Sequence, residues 1–313
     1  MRFGLFGTSN ISSTYVKCFK KLGYPIEIVY GSNLKRLEHF AKKNKIPNYS
    51  NNIKNLILNK KINNFIIAND PSQHLDLAKI LIKEKKNILI EKPLDVSLKK
   101  IKNFCKLIQN KRNVIHVVNQ NRFDPFYIKL REEIMRQINL FKKKTKYANL
   151  NMFFYRGNEY FNSTNGWKKY YSCPMLNQGI HFLDLMIWFF GDVVEVKSLT
   201  QKNNNQLKLD DNVIGSIRFK NNVLLNIFSS TSLKRNEIKF EFFCENVLIK
   251  FEKNNSFSRI KNFLFNSRSQ FDLFLYQSEF FIKSIKEKKL KNNNVIDAYK
   301  AVKLAKELNK TYT

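Results

Sequence analysis

Asn87-Ile88-Leu89-Ile90-Glu91-Lys92-Pro93-Leu94 is a short aliphatic run that stops in a charged pair and a proline. Residues 87–90 have the apolar character of a strand covered on both faces, the kind found inside a parallel sheet. Pro93 lacks a backbone N–H and drives Lys92 toward an extended backbone, so the lysine is presented at the strand's carboxyl end instead of opening a helix. Open α/β sheets gather their ligands at that end, which makes Lys92 a candidate for chemistry. A plain strand terminus closed by an abundant residue type accounts for the same letters without any chemistry.

Upstream, Arg2-Phe3-Gly4-Leu5-Phe6 is a strand that runs into Gly7-Thr8-Ser9-Asn10-Ile11-Ser12-Ser13 and then an amphipathic helix to about residue 22. A glycine turn between strand and helix brings a dinucleotide pyrophosphate to backbone N–H groups, here expected from residues 10–12. Ser9 and Ser12 stand where the dinucleotide fingerprint has its second and third glycines. A second strand over 26–30 leads to Gly31-Ser32-Asn33 and a helix over 34–43. NAD-selective sites carry an acidic residue after this strand; none is present, and Lys35 or Arg36 could meet a 2′-phosphate, which leans toward NADP. The same two residues also read as solvated helix cations.

A helix over 53–58, a strand over 64–68, Asn69-Asp70-Pro71-Ser72-Gln73-His74 and a helix over 75–85 bring the chain back to the strand at 87–90. A helix over 97–109 and a strand over 114–118 follow, ending at Asn119-Gln120-Asn121-Arg122-Phe123. Strands and helices alternating at this spacing predict a right-handed, doubly wound parallel sheet. The first domain is expected to span 1–121 and the second 122–313.

The chain has 313 residues, 43% of them hydrophobic and 14% aromatic, enough for two globular cores. No apolar run approaches the roughly 20 residues of a membrane span, and no signal or transit peptide pattern opens the chain, so the expected compartment is the cytoplasm. Four cysteines, Cys18, Cys105, Cys173 and Cys244, have neither disulfide-framework nor zinc spacing. No metal is expected. The net charge of +31 invites a nucleic-acid reading. The lysines are spread over most predicted helices, however, with no stacking-aromatic or helix-turn-helix pattern beside them, so specific nucleic-acid binding is not expected. A positive field would still draw in anionic ligands.

In the second domain, Gly166-Trp167-Lys168 precedes Leu176-Asn177-Gln178-Gly179-Ile180-His181-Phe182-Leu183-Asp184. Asn177, His181 and Asp184 stand at i, i+4 and i+7, which a continuous helix would put on one face, and Gly191 is a good stop. Flanked by Asn and Asp, His181 reads as oriented for proton transfer. Trp167 reads equally well as core. Further on, 212–219 with 223–229, and 238–244 with 247–251, alternate as antiparallel pairs, the first about a turn at Asn221-Asn222. Helices over about 271–286 and 295–310 finish the chain.

Gly7-x-Ser9 after the first strand, Pro71 with His74, Glu91-Lys92-Pro93, Asn121-Arg122-Phe123 and the segment 176–191 together resemble the glucose-fructose oxidoreductase/inositol dehydrogenase (Gfo/Idh/MocA) family. The resemblance implies a Rossmann domain followed by an α+β domain with an open, mainly antiparallel sheet used for homo-oligomers, dimer or tetramer, and a last helix that packs back on the first domain. It implies an NAD- or NADP-dependent oxidoreductase acting on a sugar or sugar-nucleotide carbinol. Cofactor contacts would fall on Gly7, Ser9, Asn10, Ile11, Ser32, Asn33, Arg36, Asn69, Pro71, His74, Glu91, Lys92 and Gln120. Substrate contacts would fall on Lys92, Arg122, Trp167, Asn177 and His181, with Lys92 and His181 catalytic and the proton acceptor being either of them. Asn177 is similar to the branch acting on nucleotide-linked amino-sugar acids. An inositol or free-sugar dehydrogenase, or a non-catalytic cofactor- or sugar-binding regulator, is the alternative. The loop Tyr170-Tyr171-Ser172-Cys173-Pro174 departs from the family's glycine run.

Overall fold

The computed structural model describes residues 1–162, 167–171, 173–254, 257–260, 268–288 and 293–309. The chain divides into two compact units, Met1–Phe123 with Arg268–Tyr299, and Asp124–Ser267 with Lys300–Thr313. The segment at 268–299, which the sequence reading left with the second domain, therefore belongs to the first unit.

Six parallel strands form the sheet of the first unit: β1 (Phe3–Phe6), β2 (Ile26–Tyr30), β3 (Asn48–Ser50), β4 (Asn64–Ile67), β5 (Asn87–Ile90) and β6 (Ile115–Val117), in the order β3-β2-β1-β4-β5-β6. Helices α1 (Asn10–Lys21), α2 (Leu34–Asn44), α3 (Ile53–Leu58), α4 (His74–Lys83) and α5 (Leu98–Ile108) connect them. The order reverses direction between β1 and β4, the switch point of a dinucleotide fold. Strands β1, β4 and the apolar part of β5 are buried throughout because both faces are covered. The core around Phe3, Leu5, Phe19 and Leu89 also takes in Phe274, Phe281 and Ile282 from the helix Gln270–Lys286.

The second unit opens with α6 (Pro125–Leu140), capped by Asp124, and β7 (Lys146–Phe154), neither of which was assigned from sequence. Short helices α7 (Asn158–Asn162), α8 (Trp167–Tyr171) and α9 (Pro174–Asn177) precede α10 (Ile180–Phe190). Then come β8 (Val193–Gln201), β9 (Asn212–Phe219), β10 (Val223–Ser230), β11 (Asn236–Cys244), β12 (Val247–Asn254) and β13 (Phe257–Ile260). The seven strands order as β13-β12-β11-β7-β10-β9-β8, antiparallel except for the parallel pair β7 and β10. Helices α11 (Gln270–Lys286) and α12 (Asn293–Leu308) end the chain, and residue 310, where the last helix was expected to stop, lies outside the described residues.

One face of this sheet is packed by α10, whose Phe190 ring lies 5.3 Å from Phe219 and 5.8 Å from Phe242. The outer face is mixed: Tyr147, Leu199, Ile214, Leu224 and Leu248 are exposed there. Polar pairs run among them, Ser216 donating to Asn226 at 2.8 Å and Arg218 to Glu195 at 2.7 Å.

Candidate active site

At the carboxyl end of β1, Gly7 has a φ of +113°, and a Cβ there would lie 2.5 Å from the Ala68 carbonyl oxygen. Its N–H donates to the Tyr30 carbonyl at 2.9 Å, so the turn lies close to the exits of both β2 and β4. Only glycine fits such an approach. Ser9 then caps α1 reciprocally: Ser12 N–H donates to Ser9 Oγ at 3.3 Å and Ser9 N–H to Ser12 Oγ at 3.2 Å. Both hydroxyls also lie 3.5 Å from the Ala68 carbonyl. The Ser12 N–H, expected to face a pyrophosphate, is thus taken by Ser9. Asn10 and Ile11 hold the first helical positions, whose N–H groups have no acceptor within the helix.

After β2, Ser32 is exposed and Asn33 caps α2, its Oδ1 accepting from Arg36 N–H at 3.0 Å, while the Arg36 side chain is exposed. After β4, Asn69 Nδ2 donates to Gln73 Oε1 at 2.8 Å and Pro71 opens a short 3-10 turn. His74 is fully buried, with Nδ1 3.0 Å from the Pro93 carbonyl and Nε2 3.2 Å from the Asn69 carbonyl. Burial pushes its pKa down to about 4, outweighing the two carbonyls that favour a protonated ring. Expected beside the cofactor, His74 has no exposed surface and instead ties two loops together. The acceptors Asn69 Oδ1, Asn119 Oδ1 and Gln120 Oε1 are buried without a partner among the described residues, at the carboxyl ends of β4 and β6. With the Gly7 turn and the start of α1, these orphan acceptors suit a ligand rich in amide and hydroxyl donors, as a nicotinamide dinucleotide is.

At the end of β5, Glu91 is 7% exposed. Its Oε1 accepts from the Tyr15 hydroxyl at 2.6 Å and its Oε2 from Lys92 N–H at 3.0 Å. The Lys92–Pro93 peptide is cis. Burial lowers the Lys92 pKa while the Glu91 charge works against it, and burial raises the Glu91 pKa against Tyr15 and Lys92. Arg122, expected among the substrate contacts, donates from Nη1 to Asp297 Oδ2 at 2.7 Å, so a carboxylate already offsets its charge.

In the second unit the helix expected to run unbroken from Asn177 to Gly191 is interrupted at Gln178 and Gly179. Cys173 caps α9, and Gly179 N–H reaches back five residues to the Pro174 carbonyl at 2.8 Å. A Cβ on Gly179 would sit 2.8 Å from that oxygen, which explains the glycine. Asn177 therefore ends one helix, and His181 and Asp184 share the next; His181 is half-buried and Asp184 buried. Asn177 Nδ2 donates to the Tyr160 hydroxyl at 2.5 Å. The Lys168 ammonium lies 3.7 Å above the Tyr160 ring centroid and the Arg156 guanidinium 5.1 Å from it. Arg156 also lines a cleft of about 300 Å³ with Asn158, Asn203 and Asn204. Trp167 starts α8, and its side chain, like Gly166 and Ser172, lies outside the described residues.

Tyr15, Tyr160 and Arg156 were not picked out from the sequence. Tyr15 carried a usable signal: a tyrosine in the apolar stripe of α1 must find its hydroxyl a buried partner. Among the described residues no cluster of three His, Cys, Asp or Glu could hold a metal, and no helix is long and apolar enough to cross a membrane.

Residues 1–119 match the family described as "Oxidoreductase family, NAD-binding Rossmann fold", and residues 145–250 match the "GFO/IDH/MocA C-terminal domain". A curated relative, Oxidoreductase P35 of Formosa agariphila, is 26% identical over 71% of this chain and 70% of its own length. Among solved structures, the WlbA dehydrogenase of Bordetella pertussis in complex with NADH and UDP-GlcNAcA superposes with a TM-score of 0.84 at 17% identity, over 98% of this chain and 95% of that one. The myo-inositol 2-dehydrogenase of Lactobacillus plantarum gives 0.78 at 17% identity, over 98% and 95%.

Proposed function

The chain belongs to the GFO/IDH/MocA family of NAD-binding oxidoreductases, and on that premise we propose that it oxidises a ring hydroxyl carbon of a nucleotide-linked sugar acid. The observation that carries this reading is the Tyr160 cluster. Its hydroxyl meets the candidate substrate residue Asn177, and its ring gathers the Lys168 ammonium and the Arg156 guanidinium beside a polar cleft. Such a pairing of cations with an aromatic face suits a phosphate next to a sugar. The net charge of +31 would steer that anion inward. The UDP-GlcNAcA bound by the WlbA dehydrogenase supports the same choice.

A bound nicotinamide supplies the hydride acceptor. Gly7, Asn10 and Ile11 would hold its pyrophosphate, and Asn69 and Gln120 would offer buried acceptors to its remaining donor groups. His181 would take the proton of the substrate hydroxyl, and the Lys92 ammonium would orient that hydroxyl and stabilise charge growing on its oxygen. Burial lowers the Lys92 pKa, which favours a second assignment in which Lys92 accepts the proton. The missing carboxylate at 31–33 and the exposed Arg36 support use of NADP beside NAD. The enzyme would work in the cytoplasm, where its free thiols stay reduced, as a homo-oligomer paired through the outer face of the second sheet.

Arg122 gives the competing substrate class its own support. With its charge met by Asp297, a neutral sugar or inositol would find fewer cations to satisfy. Nicotinamide reduction measured with UDP-GlcNAcA, its free sugar acid and myo-inositol, at rising salt, separates the two. Equal turnover of the neutral substrate with no salt dependence overturns the anionic substrate and leaves the oxidoreductase standing.

A further inference from the structure

We propose that Tyr15 is a positioning residue for Lys92: its hydroxyl holds one oxygen of Glu91 while the other oxygen takes the Lys92 backbone N–H, which fixes a carboxylate charge at the residue that precedes the lysine. This rests on the reading of Lys92 as a reacting-site group. Tyr15 is 1% exposed, with its ring 6.5 Å from Phe19 and 5.5 Å from Phe274. In so apolar a wall a phenylalanine would pack without a hydroxyl to satisfy, and the polar partner this hydroxyl finds among the described residues is Glu91. A carboxylate as buried as Glu91 stays charged only if its oxygens are bonded. Tyr15 bonds one and the Lys92 N–H the other.

The two charges are coupled. Burial drives Glu91 toward its neutral acid and Lys92 toward its neutral amine, and each opposes the shift in the other. Without the Tyr15 hydroxyl, Glu91 takes a proton more readily, the Glu91 charge that supports the Lys92 ammonium is weakened, and Lys92 deprotonates at lower pH. The other titratable groups nearby in the first unit do not mask this. Cys18, on the same helix face and itself near Lys21 and Asp272, is pushed up to about 12 by burial. His74, behind Pro93, is pushed down to about 4. Asp95, in the loop after Pro93 and near Lys100 and Asp76, is raised by burial, its Oδ1 accepting from Ser97 N–H at 2.8 Å.

The test reads Lys92 directly: the pH dependence of its acetylation by acetic anhydride, followed by peptide mass spectrometry on the intact folded enzyme, for wild type, Tyr15→Phe and Glu91→Gln. Both variants are expected to shift the Lys92 titration to lower pH by about one unit. A folded Tyr15→Phe protein whose Lys92 titrates as in wild type overturns the proposal. Should Tyr15→Phe not fold, Glu91→Gln, which keeps an acceptor for Tyr15, decides in the same way. Turnover of UDP-GlcNAcA by Lys92→Met is scored separately. Retained turnover overturns the reading of Lys92 and with it the positioning role, whereas lost turnover with an unmoved Tyr15→Phe titration overturns only the role of Tyr15.

Discussion

His74 and Pro93 meet ring nitrogen to carbonyl oxygen at 3.0 Å, and the other nitrogen of the same ring lies 3.2 Å from the Asn69 carbonyl. One buried imidazole thus clasps the loop after β4 to the loop after β5, the two segments that flank Lys92 and the orphan Asn69 oxygen.

That clasp carries a pH dependence. His74 has a folded pKa of about 4 against an ordinary value of 6.5, and buried His116 the same. Between those limits the unfolded chain binds protons that the fold refuses, so stability is full above about pH 6.5 and falls as pH drops toward 4. The loss is about 1.4 kcal/mol per pH unit for each histidine. Urea midpoints at pH 7 and pH 5 should differ accordingly, and His74→Asn should reduce the difference. An unchanged slope in that variant would mean that His74 titrates normally.

Ser9→Asp should separate capping from cofactor binding. Aspartate caps a helix as well as serine, so the melting temperature should hold. The added charge faces the start of α1, where a pyrophosphate is proposed, and NADH affinity should fall at least tenfold by nicotinamide fluorescence, about 1.4 kcal/mol or more. Unaltered affinity would assign the loop another purpose.

Gly7→Ala should damage the fold and the site together. The new Cβ meets the Ala68 carbonyl at 2.5 Å, from a backbone at φ +113° that alanine disfavours. Destabilisation of about 1–3 kcal/mol is expected from the denaturant midpoint, together with weaker NADH binding. A variant as stable as wild type would show that β4 yields easily at Ala68.

Lys92→Met and His181→Asn should fold with native far-UV spectra and lose about 10²- to 10⁴-fold in turnover on an authentic substrate. Near-native turnover in either variant removes that residue from the chemistry.

Much of this was legible in the letters, and what was not has physical causes. The strands at 26–30, 64–67 and 87–90 announce themselves because a doubly covered sheet demands aliphatic runs. The turn-side ends of β9 to β12 follow from alternation about short turns, while β11 begins two residues earlier and β12 runs three residues further than the alternation shows. β7, the central strand of the second sheet, stayed hidden because Asn149 and Asn151 occupy its outward positions, where strand-favouring residues would have marked it. The interruption at Gly179 was hidden because the letters from 174 to 190 satisfy a continuous helix, and only the backbone contact with Pro174 disqualifies it. At the site, Lys92 and His181 could be nominated from their neighbours in sequence. The pairs Tyr15 with Glu91 and Asn177 with Tyr160 join residues 76 and 17 positions apart, which periodicity cannot see.

The helix Gln270–Lys286 supplies Phe274, Phe281 and Ile282 to a core whose other members all come before residue 119. During synthesis, then, the amino-terminal sheet leaves the ribosome with one wall of its interior still unmade. The missing wall lies about 150 residues downstream, a delay of roughly 8–30 s at ordinary elongation rates. For that interval the nascent sheet exposes an apolar surface that a chaperone or the polypeptide emerging behind it can cover. The second unit in turn waits for residues 300–308, so neither domain is closed until the last helix has been made.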